Sequence, residues 1–340
     1  MSAIDVDKLL QPVSDDAPCG EDLEYDTAFE ELGRAAATGV GDSMLEKGSD
    51  PEPPKWPDVA KIAEELLSRT KDLRVAMHLA RARLNTDGVI GLADGIALMD
   101  GFLKTYWDDV HPLLDAEDDN DPTMRINSLA ALGDSNGLIH DLREVPLVKG
   151  KRAGAYSLHD IRVAAGDVPA PKGTEPPESG IIDAAFQECE LDELKSSAEA
   201  VSLARGTITG IDAFITEQVG ATNNPLKVGP ISDELKSIAR IYADQLSSRG
   251  VDVEQSGDDD EASAGAGKSA SGEIRSREDA VRMLDKISEY FRRNEPSSPV
   301  PMLLQRAKGL IAKDFMEILK DLTPDAISQA EMYSRSKDDG

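Results

Sequence analysis

A chain of 340 residues is long enough for two or three domains, and a 40% hydrophobic content is compatible with packed cores. Aromatics make up only 4%, so those cores rest on Leu, Ile, Val and Ala, and a mainly α fold is expected rather than a β-sandwich. A net charge of −28, from 65 acids against 37 bases, repels phosphate backbones and anionic lipid heads, so neither nucleic acid nor direct membrane insertion is an expected role.

Cys19 and Cys189 stand far apart with no C-x-x-C, which indicates neither a disulfide framework nor a zinc site and fits a reducing compartment. Residues 1–10 carry acids where a signal peptide needs bases. No apolar run approaches the roughly 18 residues of a membrane span. A soluble, cytoplasmic protein is the expectation.

In chain order, residues 1–55 are rich in turn formers, with one short helix expected from about Thr27 to Ala37. Pro18-Cys19-Gly20-Glu21-Asp22-Leu23 reads either as an arm laid over a domain or as an ordinary surface loop. Trp56 opens the folded part: Pro57 suits a first helical turn, Asp58 favours the positive end of the dipole, and Val59, Ile62, Ala63, Leu66 and Leu67 share one face. A second helix follows through Leu73, Ala76, Met77, Ala80 and Leu84, ending near Asn85 and Gly88. A third runs from Leu92 to Val110 and is stopped by His111-Pro112. Asp121-Pro122, read as a cap followed by a first-position proline, starts a fourth through Met124, Leu129 and Leu132. The pattern is that of a helical bundle or an α-solenoid.

The period changes between Val145 and Val163, where two short extended pieces flank a glycine-containing turn and predict a small β-hairpin. Residues 166–180 form a proline-rich linker or exposed loop. Helix resumes from Ile181 to about Val219, with a break expected near Gly206 to Gly210, and again through Ile231, Leu235, Ile238, Tyr242 and Leu246. The expected domains are therefore 1–165, a middle helical region 166–250, a flexible acidic and Ala-Ser-Gly linker 251–272, and a small all-α C-terminal oligomerisation domain 273–340.

That last region differs electrically from the rest. Residues 273–321 hold ten Lys or Arg against nine Asp or Glu, whereas residues 1–272 carry about −27. Ser276 with Asp279 resembles a capping box at its start. Leu284, Ile287 and Phe291 line one helical stripe, and Leu303, Leu304 and Leu310 line another. Pro296, Pro299 and Pro301 form a rigid corner between the two. These nine residues are the candidate oligomerisation set.

Several motifs suggest chemistry and fail on context. Gly133-Asp134-Ser135-Asn136-Gly137 satisfies G-x-S-x-G, but a hydrolase elbow needs a strand before it and a helix after it, and the preceding residues read as helix. Asp115 to Asp121 has alternating acids, yet Asn120 and Ile126 stand where a calcium loop needs Gly and Glu. Gly267-Lys268-Ser269 follows no apolar strand, and Gly39-Val40-Gly41 has no βαβ setting. The four histidines show no metal-binding spacing. No cofactor, metal or catalytic residue is expected, with Ser135 as the competing nucleophile. Trp107 and Tyr106, on or beside the apolar face of the third helix, serve either core packing or a partner hot spot.

Taken as a set, five segments resemble one family. Pro18-Cys19-Gly20-Glu21-Asp22-Leu23, Trp56-Pro57-Asp58-Val59, Lys71-Asp72-Leu73-Arg74-Val75-Ala76, Tyr106-Trp107-Asp108-Asp109-Val110-His111-Pro112 and Asp121-Pro122-Thr123-Met124-Arg125-Ile126-Asn127-Ser128-Leu129 are similar to the N-terminal domain of the ImpA (TssA) proteins of bacterial type VI secretion. Glu295-Pro296-Ser297-Ser298-Pro299-Val300-Pro301 and the Leu303-Leu304-Gln305-Arg306-Ala307 that follows resemble the C-terminal signature of the short, baseplate-associated members. The resemblance implies a non-enzymatic structural subunit that forms a multimeric ring and contacts baseplate, sheath and tube proteins in the cytoplasm. Other members of the family cap the distal end of the sheath, which is the alternative role within the same apparatus.

Overall fold

The computed structural model describes residues 3–37, 53–171, 173–220 and 226–251, together with the single positions 284, 300, 303, 304 and 308. The chain divides into two compact units, Met1–Ser256 and Gly257–Gly340.

The first unit is helical apart from one small antiparallel sheet. After α1 (Val6–Leu9), α2 (Thr27–Ala36) starts on Asp26, whose carboxylate accepts from the Ala28 N–H. In α3 (Trp56–Leu67), Val59, Ala60, Ala63, Leu66 and Leu67 are buried, the stripe the spacing predicts apart from Ile62 at its edge. α4 (Leu73–Thr105) is capped by Asp72 and turned at Gly88, whose φ of 70° and ψ of −151° only glycine adopts readily. The halves before and after Gly88 run back against each other. A Cβ on Gly95 would lie 2.4 Å from the Cβ of Ala80, so the close approach depends on glycine. This is the pair of helices that the sequence separates near Gly88.

Beyond α4 come α5 (Thr123–Ala130), a 3₁₀ turn (Ala131–Gly133) and α6 (Leu138–Glu144). β1 (Pro146–Gly150) and β2 (Gly154–Ser157) pair with Val148 opposite Tyr156 and Lys149 opposite Ala155, the hairpin expected there. Ser157 then caps α7 (Leu158–Ala165) in a full capping box with Asp160. α8 (Ser179–Glu188), α9 (Leu191–Val219) and α10 (Gly229–Ser248) complete the unit. The buried side chains form one continuous cluster from Ile4 to Leu246, with α9 laid along α4 and α10 along α9.

Three boundaries differ from the sequence reading. The third helix stops at Thr105 rather than Val110, because the carbonyls of residues 107–112 turn towards a side chain described below. Pro122 is the cap of α5 rather than its first residue, and the Asp121 carboxylate accepts from the Thr123 N–H at 2.7 Å. The break in the middle region falls at Cys189 and Glu190, not at Gly206 to Gly210. Each of those glycines costs helix about 1 kcal/mol, but Val201, Ala204, Ile208, Ile211 and Ile215 keep helical spacing across them and are buried, which outweighs that cost.

Glu234 on α10 ties three helices together. One carboxylate oxygen accepts from Arg143 of α6 at 2.6 and 2.9 Å, and the other from Arg162 of α7 at 2.6 Å. Burial raises this carboxyl's pKa, but the Arg162 and Arg143 hydrogen bonds prevail and hold it below the ordinary value. Its contribution to stability is therefore full above the unfolded pKa near 4.5 and is lost as pH falls through the folded value. Glu234→Gln is expected to cost about 3 kcal/mol at pH 7, the low end for a broken buried pair because both arginines reach solvent. It also flattens the loss of stability below pH 4.5. Urea unfolding at pH 7 and pH 4 checks both; parallel wild-type and variant pH profiles would refute the assignment.

In the second unit the five described positions, Leu284, Val300, Leu303, Leu304 and Lys308, are all helical. Leu303 is 59% exposed, while Leu284 and Leu304 are half-buried. The other oligomerisation candidates, Ile287, Phe291, Pro296, Pro299, Pro301 and Leu310, lie outside the described residues. So do the 252–272 part of the expected linker, the Ser276 box, the Gly267-Lys268-Ser269 segment and the Gly39-Val40-Gly41 segment.

Candidate functional site

Four of the family-like segments meet at one place. The stretch around Pro18 to Leu23 is an arm, not a loose loop: Cys19 is buried and its carbonyl accepts from the Lys71 N–H at 2.8 Å. Gly20, at φ 69°, pairs with Thr70, and a Cβ there would fall 2.1 Å from the Arg69 carbonyl oxygen. Lys71 in turn accepts from the His111 N–H, and His111 accepts from the Leu73 N–H, each at 2.9 Å. The His111 ring nitrogen Nε2 lies 3.3 Å from the Gly20 carbonyl, and the His111-Pro112 peptide is cis. Residues far apart in sequence thus form a short backbone ladder at the start of α4, with Arg74 bridging Asp72, Asp22 and Glu24.

Arg125 organises the outer side of this knot. It projects from α5, is fully buried, and donates to the carbonyls of Pro112 at 2.6 Å, Val110 at 2.8 Å and Trp107. Its guanidinium also lies 4.9 Å from the Trp107 ring centre. Among the described residues no carboxylate pairs with it directly, and burial pushes its pKa down to about 10 against the opposing charges of Asp108 and Asp109. A fork of N–H donors is what a turn of converging carbonyls requires, and a lysine could not supply it. Residues 106–112 are therefore a fixed loop built on one cation.

The neighbouring groups are structural by the same criteria. Burial pushes the Cys19 thiol up to about 11, so it is neither a thiolate nucleophile nor a ready metal ligand near neutral pH. Lys71, buried beside it, is shifted down by desolvation and donates to the Leu67 carbonyl at 3.1 Å. Tyr106 is half-buried with its hydroxyl donating to the Leu10 carbonyl at 2.6 Å, which pins the N-terminal arm. Trp107 is half-buried and meets Phe214 of α9 edge-on at 5.3 Å. Both partner candidates, Tyr106 and Trp107, pack against the core. Trp107 packs and also lines a cleft with Asp108, Leu113, Leu114, Asp119 and Pro122.

Ser135 lies exposed in the turn between the 3₁₀ segment and α6. The element before it is helical, so the strand that a nucleophile elbow needs is not there. In the Asp115 to Asp121 loop, Asp115 accepts from the Glu117 N–H and Asp121 from the Thr123 N–H, so these carboxylates cap turns.

Sequence reasoning missed Arg125, and one signal could have found it. Arg125, Leu129 and Leu132 are spaced four and three apart, which places the arginine on the buried stripe of its helix. A charge in buried register calls for partners, and the nearest segment with unspent carbonyls is the one ending in His111-Pro112.

Comparison with known proteins bears on these segments directly. Residues 10–134, which span the whole knot, match the family described as ImpA, N-terminal, type VI secretion system. The chain is 41% identical to type VI secretion system component TssA1 of Pseudomonas aeruginosa over 343 aligned positions, covering 96% of this chain and 97% of the relative. The chain belongs to the TssA family.

A solved TssA structure agrees on the fold. The N-terminal domain, including the conserved ImpA_N region, of the TssA component from Burkholderia cenocepacia superposes with a TM-score of 0.58 at 25% identity, covering 74% of this chain and 97% of that one. Among the described residues, no helix is long and apolar enough to cross a membrane. The TssA resemblance read from the motifs, and the mainly helical fold with one hairpin, therefore hold.

Proposed function

We propose that this TssA-family chain is a non-enzymatic, cytoplasmic structural subunit of the type VI secretion apparatus. Its C-terminal unit assembles copies into a ring, and its N-terminal unit engages baseplate, sheath and tube proteins. The observation that carries the reading is the end-to-end match to TssA1, which extends through the C-terminal region as well as the ImpA-type domain.

Two physical features support the division of labour. The near-neutral 273–321 stretch escapes the mutual repulsion of the −27 on residues 1–272 and so is the part of the chain suited to meeting its own copies. The acidic unit, with its continuous core, is suited to staying soluble and separate until a partner docks. Purified full-length chain is expected to form closed rings by negative-stain electron microscopy. It should also restore tube-protein secretion to a type VI strain lacking its own subunit. Monomers at high concentration together with failed restoration would overturn the proposal.

A further inference from the structure

The fixed loop leaves an open cleft of about 530 Å³ beside the C-terminal end of α9, where Gln218 forms part of the wall. Its apolar surface comes from Trp107, Leu113, Leu114 and Pro122, and Leu113 is 53% exposed. Its polar edge carries Asp108 and Asp119. We propose that this cleft is the docking site for a segment of a partner protein in which an apolar side chain is flanked by Lys or Arg. The inference rests on the structural-subunit reading above and names the chemistry of one of its contacts.

Charge is the main argument. Between Asp108 and Asp121 there are seven acids, and no Lys or Arg occurs from Thr105 to Met124. Among the described residues none of those seven carboxylates makes a direct ion pair, Asp108 and Asp109 feeling Arg125 only at longer range, whereas Arg69, Arg74, Arg81, Arg83, Arg143 and Arg162 elsewhere in the unit all have acid partners. Among the described residues the nearby cation Arg125 is buried beneath the loop and donates to carbonyls, so its charge offsets Asp108 and Asp109 only from behind the cleft wall. An acidic rim around an exposed leucine attracts a basic segment and repels nucleic acid, anionic lipid and another copy of itself.

Rigidity is the second argument. Asp115 N–H donates to the Asp121 carbonyl at 3.0 Å, Asp118 to Asp115 at 3.2 Å, and Asp121 to Asp118 at 3.0 Å. Asp119 and Asn120 sit at φ 53° and 59°, the left-handed region that these two residue types tolerate best. Trp107 is held by Arg125 and Phe214. A preformed wall loses little conformational entropy when a partner arrives.

The test uses the full chain and three synthetic peptides of about twelve residues, one of Leu and Lys in amphipathic register, one of Leu and Glu, and one of Ser and Lys. Calorimetric titration is expected to show the Leu/Lys peptide binding at least about tenfold tighter than either control. The double variant Leu113→Ser, Asp119→Asn should remove about tenfold or more of that affinity with an unchanged circular dichroism spectrum, since Leu113 is exposed and Asn also tolerates φ near 53°. Equal binding of the Ser/Lys peptide, or undiminished binding by the double variant, overturns the proposal. A changed oligomer size in the double variant also overturns it, by assigning the cleft to a second copy. Restoration of secretion separates the two levels: if wild type restores it and the double variant does so equally well, the cleft is wrong and the subunit reading stands. If wild type restores nothing, the subunit reading is what fails.

Discussion

Arg125→Met is expected to lower the stability of the N-terminal unit by about 3–5 kcal/mol, more than any other single substitution considered. Methionine keeps much of the side-chain length and packing but donates nothing, so the carbonyls of Trp107, Val110 and Pro112 are left facing apolar atoms. A buried acceptor without a donor costs about 1–3 kcal/mol. Part of that is offset, because the variant no longer buries a cation whose desolvation the charges of Asp108 and Asp109 compensate only in part. At roughly 2–4 °C per kcal/mol for a unit of this size, the melting temperature should fall by about 10 °C. Loss of the loop should also move the emission of Trp107, which now stacks on the guanidinium. Arg125→Lys should fall between the two, since an ammonium reaches one or two of the carbonyls but not the fan of three. Thermal melts followed by circular dichroism decide it, and a melting temperature for the methionine variant within about 2 °C of wild type would remove Arg125 from its assigned role.

This arginine also marks where the sequence stops being legible. Elements whose burial comes from one regular stripe were readable: Ile231, Leu235, Ile238, Tyr242 and Leu246 are all buried on α10, and the hairpin stands where the period changed. What escaped were polar groups in buried register. Arg125 lies one turn from Leu129 and Glu234 one turn from Ile231 and Ile238, and both look like surface charges until their partners, distant in sequence, arrive. For Pro18 to Leu23 the sequence leaves an arm and a surface loop both open, and the Lys71 N–H reaching the Cys19 carbonyl decides for the arm. The capping box at Ser157 and Asp160 is legible in the sequence, since Ser precedes an acid by three residues at the start of an apolar run. The α8–α9 break was misplaced for the opposite reason: glycine propensity at Gly206 and Gly210 is a local signal, and burial against α4 overrides it.

Deleting residues 257–340 is expected to abolish secretion altogether while leaving the remaining unit folded. Among the described residues the core cluster runs from Ile4 to Leu246 with Val251 packed against it, all of which the cut leaves in place. The melting temperature of the fragment should therefore stay close to that of the same unit in the full chain. Function should nonetheless vanish, because a docking surface that binds weakly as a single copy depends on being presented many times at once. Linking copies raises the effective concentration of each contact to the millimolar range, a gain that disappears with the link. The −24 left on residues 1–256, which is the −27 of residues 1–272 less the four acids and one lysine of 257–272, then works against any residual association, since like-charged units separate in the absence of a neutral contact. A single change in the C-terminal unit should act in the same direction: Leu304→Asp puts a charge on a half-buried helical position and should shrink the assembly without altering the N-terminal unit. Sedimentation velocity on the fragment and the variant, paired with secretion assays, measures both effects. Rings formed by the 1–256 fragment would transfer the assembly role to the acidic unit and invert the proposed division between the two.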